Sequence, residues 1–138
     1  MSVRSSPINR PRVLVADDHP HLLEATIALL VSYCDVVGTA SDGETLVSEA
    51  LRLQPDVIVT DITMPVMNGI DAIHQLRELG SSARSVFLTI HGGDEFVIAC
   101  RAEGALGYVL KTKMTTQLIP AIRAALAGEI FMPPAPSG

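Results

Sequence analysis

Five side chains in this sequence could together hold a cation and receive a charged group: Asp17, Asp18, Asp61, Thr89 and Lys111. Each lies at the end of a short apolar run. The runs are Val13-Leu14-Val15-Ala16, Val57-Ile58-Val59-Thr60, Val86-Phe87-Leu88 and Tyr108-Val109-Leu110. Singly, each residue has a plainer reading. Asp at a strand end often opens a turn or caps a helix, and an acidic pair suits the positive end of a helix dipole. Thr is a common strand former, and Lys an ordinary surface charge. Together they make three carboxylates, a hydroxyl and an ammonium. Carboxylates brought close repel one another unless a cation lies among them. Hard oxygen ligands suit Mg²⁺, which keeps waters and a phosphate oxygen in its octahedral shell. A carboxylate can attack a phosphoryl group to give an acyl phosphate. The charge developing on the transferred oxygens then calls for a metal ion on one side and a Lys or hydroxyl on the other.

The elements between these residues decide whether they meet. Arg12 to Ala16 reads as a buried strand, and Pro20 suits the first turn of a helix running to about Tyr33, with Leu23, Ile27, Leu30 and Val31 on one face. Val36 to Ala40 is a second strand. Ser41 with Glu44 has the spacing of a capping box, and opens a helix that buries Leu46, Val47, Ala50 and Leu51. The third strand ends at Asp61, and Pro65, Asn68 and Gly69 break the chain into a loop. Ile70, Ile73, Leu76 and Leu79 then mark a helix closed by Gly80. A strand over 86–90 leads through His91-Gly92-Gly93 to a helix capped by Asp94, carrying Phe96, Val97, Ala99 and Cys100, and ended by Gly104. The fifth strand, 108–110, runs into Lys111. A last helix over 117–127 turns Leu118, Ile122, Ala125 and Leu126 inward. Five rounds of strand then helix predict a parallel sheet with helices on both faces. With right-handed crossovers, the expected fold is a flavodoxin-like (βα)5 doubly wound α/β sheet of order 2-1-3-4-5. All strand carboxyl ends then share one edge. Asp17, Asp18, Asp61, Thr89 and Lys111 fall on that edge.

The bulk properties narrow the options further. With 138 residues, 48% hydrophobic and 18% charged, the chain is one globular domain. A net charge of −5 and a pI near 5.2 argue against this segment gripping nucleic acid. No apolar run approaches the ~20 residues of a membrane span, and the polar N-terminus is not a secretory signal, so a cytoplasmic location is expected. Cys34 and Cys100 read as buried free thiols. His19 and His21 flank Pro20 without a third ligand nearby in sequence, so zinc is not expected. Neither glycine-rich phosphate cradle occurs, which disfavours a nucleotide cofactor.

These residues, read as a set, resemble a known family. Asp17-Asp18, Asp61 with Met64-Pro65 and Asn68-Gly69, Thr89, and Gly107-Tyr108-Val109-Leu110-Lys111 look like the CheY-like receiver domain of two-component response regulators, over 12–128. The resemblance implies that Asp61 accepts a phosphoryl group from a phosphohistidine of a sensor histidine kinase. It implies that Asp18, Asp61 and the backbone carbonyl of Thr63 ligate Mg²⁺, with Asp17 supporting the ion through water. Thr89 and Lys111 would bind phosphoryl oxygens. Tyr108 matches the aromatic switch position, moving inward as Thr89 is drawn to the phosphate. His91 and Thr63 fall near this pocket and read as surface residues. The stretch 125–131 resembles the LuxR/NarL-type transcription-factor branch, whose output is a helix-turn-helix module. Homodimerisation on phosphorylation and an output domain in a longer protein follow from the resemblance. On this reading residues 1–11 are a disordered lead-in and 129–138 a Pro-rich tail or linker, in a receiver excised from a longer chain or, as the alternative, a single-domain regulator. A multiple-turnover enzyme is not expected.

Three positions depart from the family pattern. Thr112 follows Lys111 where many receivers have proline, so a trans bond is expected. Ile90 stands beside Thr89 where small residues are frequent, and its bulk is expected to narrow the pocket. Pro120 should delay or kink the start of the last helix. Two alternatives stay open. Asp61-Ile62-Thr63 superficially resembles the nucleophile motif of haloacid-dehalogenase-type phosphatases, although Thr63 stands where those enzymes carry a second acid. A pseudo-receiver, folded but constitutive, is the other.

Overall fold

The computed structural model describes residues 10–133. Residues 1–9 of the expected lead-in and 134–138 of the expected tail therefore lie outside the described residues. Arg10 and Pro11 belong to the fold: the Arg10 guanidinium donates to the Cys34 carbonyl at 2.7 Å and to Asp35 at 2.8 Å. The Pro11 carbonyl accepts from the Asp35 amide at 2.8 Å.

In chain order the elements are β1 (Arg12–Ala16), α1 (Pro20–Leu30), β2 (Asp35–Ala40), α2 (Gly43–Leu53), β3 (Val57–Thr60), α3 (Gly69–Glu78), β4 (Arg84–Thr89), α4 (Asp94–Ala102), β5 (Gly107–Leu110) and α5 (Met114–Leu126). A 3₁₀ turn, Lys111–Lys113, joins β5 to α5. All strands pair in parallel in the order β2-β1-β3-β4-β5, as the alternation predicts. Ala16 pairs with both Ala40 and Thr60, and Thr89 pairs with Leu110. The register thus sets the last residues of β1 and β3 side by side and puts Thr89 next to the residue preceding Lys111. No described helix is long and apolar enough to cross a membrane.

Strand alternation divides the core into two layers. Leu14, Ala16, Ile58, Phe87 and Tyr108 face α2, α3 and α4, meeting Leu46, Ala50, Ile73, Leu76 and Val97. Val13, Val15, Val57, Val59, Val86, Leu88 and Val109 face α1 and α5, meeting Leu30, Leu118, Ala121, Ile122 and Ala125. Both faces of the sheet are covered, which is why the strands read as continuous apolar runs. The two cysteines lie one in each layer, free and buried.

Several helix ends differ from the sequence expectation. α1 stops at Leu30, where the chain tightens as the Tyr33 amide donates to the Leu30 carbonyl at 2.9 Å, and Val31 is left exposed while Cys34 is buried. Asp42, not Ser41, caps α2: its carboxylate accepts from the Thr45 amide at 2.7 Å and the Thr45 hydroxyl at 3.1 Å. Asp94 is the first residue of α4 with Gly93 at the cap, so it complements the dipole rather than bonding an amide. Gly80 closes α3 with φ +85°, the left-handed turn expected of it. α5 begins at Met114 and carries Pro120 inside. Pro120 and Thr116, whose carbonyl loses its donor there, are both exposed, so water can satisfy that carbonyl while Leu118 and Ile122 stay buried. Ile90 lies beyond β4 and is 71% exposed, so its bulk goes to solvent and the expected narrowing of the pocket is not seen. No cis peptide occurs among the described residues, and Lys111–Thr112 is trans.

After α5 the chain returns to the sheet. Phe131 forms a parallel bridge to Gly107, its amide donating to the Leu106 carbonyl at 2.7 Å and its carbonyl accepting from the Tyr108 amide at 2.9 Å.

Candidate functional site

Backbone pairing carries one residue past the strand ends and so fixes the carboxylates. The Asp17 amide donates to the Ala40 carbonyl and the Asp61 amide to the Ala16 carbonyl, both at 3.0 Å. This is the point where β1 has neighbours leading in opposite directions, the crevice where such sheets hold ligands. Behind Asp61, α3 starts in contact with the strand. A Cβ on Gly69 would lie 1.9 Å from the Asp61 carbonyl oxygen, so only glycine permits that approach. Asn68 caps α3 by accepting from the Asp71 amide at 2.8 Å. The intervening loop holds Val66 at φ +70°.

The carboxylates converge on one ammonium. Lys111 Nζ lies 2.8 Å from Asp17 Oδ2 and 2.8 Å from Asp61 Oδ2, and the three side chains are only 3–5% exposed. The other oxygens are engaged too: Asp61 Oδ1 accepts from the Ile62 amide at 2.7 Å, and Asp17 Oδ1 from the His19 amide at 2.9 Å. Burial alone would lower the Lys111 pKa, but its hydrogen bonds to Asp17 and Asp61 outweigh this and hold it above 10.5.

Asp18 is different. Its Oδ1 is buried without a hydrogen-bond partner, although His19 Nδ1 lies 3.2 Å away outside bonding geometry. Ligand atoms of Asp17, Asp18, His19 and Asp61 all lie within 4.8 Å of one another. Three carboxylates face one ammonium, and one buried oxygen is orphaned. Such a donor set suits a divalent cation.

A second group of contacts joins Thr89 to Tyr108 through His91. Thr89 is fully buried, and its hydroxyl accepts from the His91 amide at 3.2 Å. The Tyr108 hydroxyl donates to the His91 carbonyl, with its ring 2% exposed and already inward. The His91 ring stacks on Phe96 at 4.4 Å and meets the Thr63 hydroxyl at 2.9 Å. Sequence reading placed Thr63 and His91 near the pocket but not in contact, since 28 residues separate them. It also missed His19 as a member of the acidic cluster. The signal was present in its position directly after Asp17-Asp18, at the mouth of the predicted crevice.

Comparisons with known proteins agree with this geometry. A family profile described as the response regulator receiver domain matches residues 13–123. The nitrate/nitrite response regulator protein NarL of Escherichia coli K12 is 37% identical over 123 residues, covering 87% of this chain and 56% of that protein. The chain spans about half the length of the curated relatives it matches. Among solved structures, a LuxR-family two-component response regulator from Aurantimonas sp. SI85-9A1 superposes with a TM-score of 0.85 at 33% identity, covering 91% of both chains. The isolated receiver domain of RcsB from Salmonella enterica serovar Typhimurium, in the presence of the phosphomimetic BeF₃⁻, gives 0.81 at 29% identity, covering 91% of this chain and 94% of that one.

Proposed function

The chain belongs to the response regulator receiver domain family, and from that premise we propose that Asp61 is its phosphoacceptor and that a Mg²⁺-dependent aspartyl phosphate is its signalling state. The observation that carries this reading is the Lys111 ammonium lying 2.8 Å from both Asp17 and Asp61, beside the orphaned oxygen of Asp18. An Asp61 carboxylate oxygen attacks the phosphorus of a phosphohistidine on a sensor histidine kinase. The P–N bond breaks, and its electron pair leaves with the imidazole, which takes up a proton. Asp18, Asp61 and the Thr63 backbone carbonyl would hold the metal ion, and Asp17 would support it through water. When bound, Mg²⁺ offsets the carboxylate repulsion and the charge on the phosphoryl oxygens. Lys111 keeps its charge at neutral pH and can turn from Asp61 to the incoming oxygens.

Thr89 supplies a hydroxyl to the same group. Its present link to the His91 amide, together with the Tyr108 bond to the His91 carbonyl, supports a switch in which Thr89 and Tyr108 answer together. The segment 89–104 is the two-state element that the added charge biases. Residues 12–128, with the flanking contacts of Arg10, Pro11 and Phe131, make up this receiver, and the chain beyond leads to a helix-turn-helix output module in a longer protein, with phosphorylation promoting homodimerisation. The domain works in the cytoplasm as an acceptor and does not turn over external substrates. Incubation with a small phosphodonor and Mg²⁺ should add one phosphate by intact mass, lost in Asp61→Asn. Full labelling of Asp61→Asn, or no labelling of the unaltered protein, would overturn the proposal.

A further inference from the structure

We propose that His19 gives the cation site a nitrogen donor, so that this receiver prefers borderline first-row ions such as Mn²⁺ and Co²⁺ over Mg²⁺. The inference rests on reading Asp17, Asp18 and Asp61 as a divalent-cation site. His19 Nδ1 lies 3.2 Å from Asp17 Oδ1 and 3.2 Å from Asp18 Oδ1, and within 4.8 Å of the Asp61 carboxylate.

Two local features aim the ring. The His19 amide is tied to Asp17 Oδ1 at 2.9 Å, a turn that brings the side chain back over the carboxylate it follows. Pro20 then occupies the first turn of α1, with His19 at the cap in extended conformation, φ −101° and ψ 109°. No polar group outside the pair Asp17 and Asp18 bonds the ring among the described residues. The side chain is 61% exposed, so it can adjust toward an ion without disturbing the core.

The chemistry follows from the donor set. Three carboxylates alone would suit Mg²⁺, Ca²⁺ or Mn²⁺. An imidazole adds little to Mg²⁺, which takes oxygen ligands, but binds Mn²⁺, Co²⁺ and Zn²⁺ with affinity rising along the first row. The ion held at Asp61 would then depend on metal availability as well as on the kinase.

Pulsed EPR of the Mn²⁺-loaded protein tests this directly, alongside calorimetric titration with Mn²⁺, Co²⁺ and Mg²⁺. The unaltered protein should show ¹⁴N modulation from a coordinated imidazole. His19→Gln should lose that modulation and lower the Co²⁺ to Mg²⁺ affinity ratio by roughly tenfold or more. His91→Gln should retain both. Mn²⁺ bound without nitrogen modulation, or an unchanged ratio in His19→Gln, overturns the assignment of His19 and leaves the oxygen site standing. Failure of the unaltered protein to bind any of the three ions overturns the cation site and this inference with it.

Discussion

Replacing Asp18 by Asn should make the metal-free protein more stable and, in the same step, unresponsive to Mg²⁺. Lys111 neutralises Asp17 and Asp61 by direct contact, whereas the Asp18 oxygen lies within 4.8 Å of both carboxylates without a hydrogen-bond partner. Two like charges at that separation repel by about 3 kcal/mol at an effective dielectric near 20. The Asp18 side chain is 29% exposed, so solvent screening removes a large part of this. An amide of the same shape should therefore stabilise the fold by about 1–2 kcal/mol. The chain has no Trp, so urea unfolding is best followed by far-ultraviolet circular dichroism. At an m-value of about 2 kcal/mol/M the midpoint should rise by roughly 0.5–1 M in the presence of a chelator. For the unaltered protein, Mg²⁺ at a hundredfold excess over its Kd should add about 2.7 kcal/mol, and for Asp18→Asn almost nothing. A metal-free variant that is natively folded yet less stable than the parent would refute the electrostatic reasoning. A retained Mg²⁺ response would refute the role of Asp18 as a ligand.

Other substitutions probe the framework around the site. Val66 is a β-branched residue at φ +70° and 76% exposed, so Val66→Asn should stabilise by about 1 kcal/mol in the same unfolding assay; a loss of stability would show that its side chain packs usefully. Gly69→Ala, whose Cβ would fall 1.9 Å from the Asp61 carbonyl oxygen, should destabilise by about 2–3 kcal/mol and reduce phosphodonor labelling, and parent-like labelling and stability would contradict the close approach. His74 bonds Glu103 at 2.9 Å, and this bond, with the attraction of the same carboxylate, raises its pKa above 6.5. Its stabilising effect should be complete below 6.5 and fade as pH rises through the raised value. Glu103→Gln should bring the His74 titration, followed by NMR, back toward 6.5, and an unshifted titration would rule out the pairing.

The fold was legible because the inner strands are buried on both faces and therefore apolar without interruption, as in Val57-Ile58-Val59, while the edge strand β2 is only partly buried. The positions of Asp17, Asp61 and Lys111 followed from where those runs stop. Features that depend on contacts between loops were not legible. Thr63 and His91 meet only because the segments after β3 and β4 leave the same edge of the sheet. His19 was set aside because metal spacing was sought among His and Cys, whereas its partners are neighbouring carboxylates. Pro120 argued for a late start to α5, yet four buried side chains, Leu118, Ala121, Ile122 and Ala125, outweigh one missing hydrogen bond on the solvent side. Ser41 lost the cap to Asp42 because Gly43, buried against the Met67 backbone, is already the first helical residue.

The bridge between Phe131 and Gly107 makes the two margins of the sheet unequal. At β5 the Tyr108 amide and Leu106 carbonyl are already satisfied by the protein's own chain, while β2, among the described residues, has a neighbour on one side only. Exposed strand edges are where foreign chains add themselves, by accident in aggregation or by design in peptide recognition. A strand arriving from another molecule therefore finds β2 open, and at β5 it must first displace Phe131. The segment that follows the last helix acts as a guard on the margin that carries the Tyr108 aromatic.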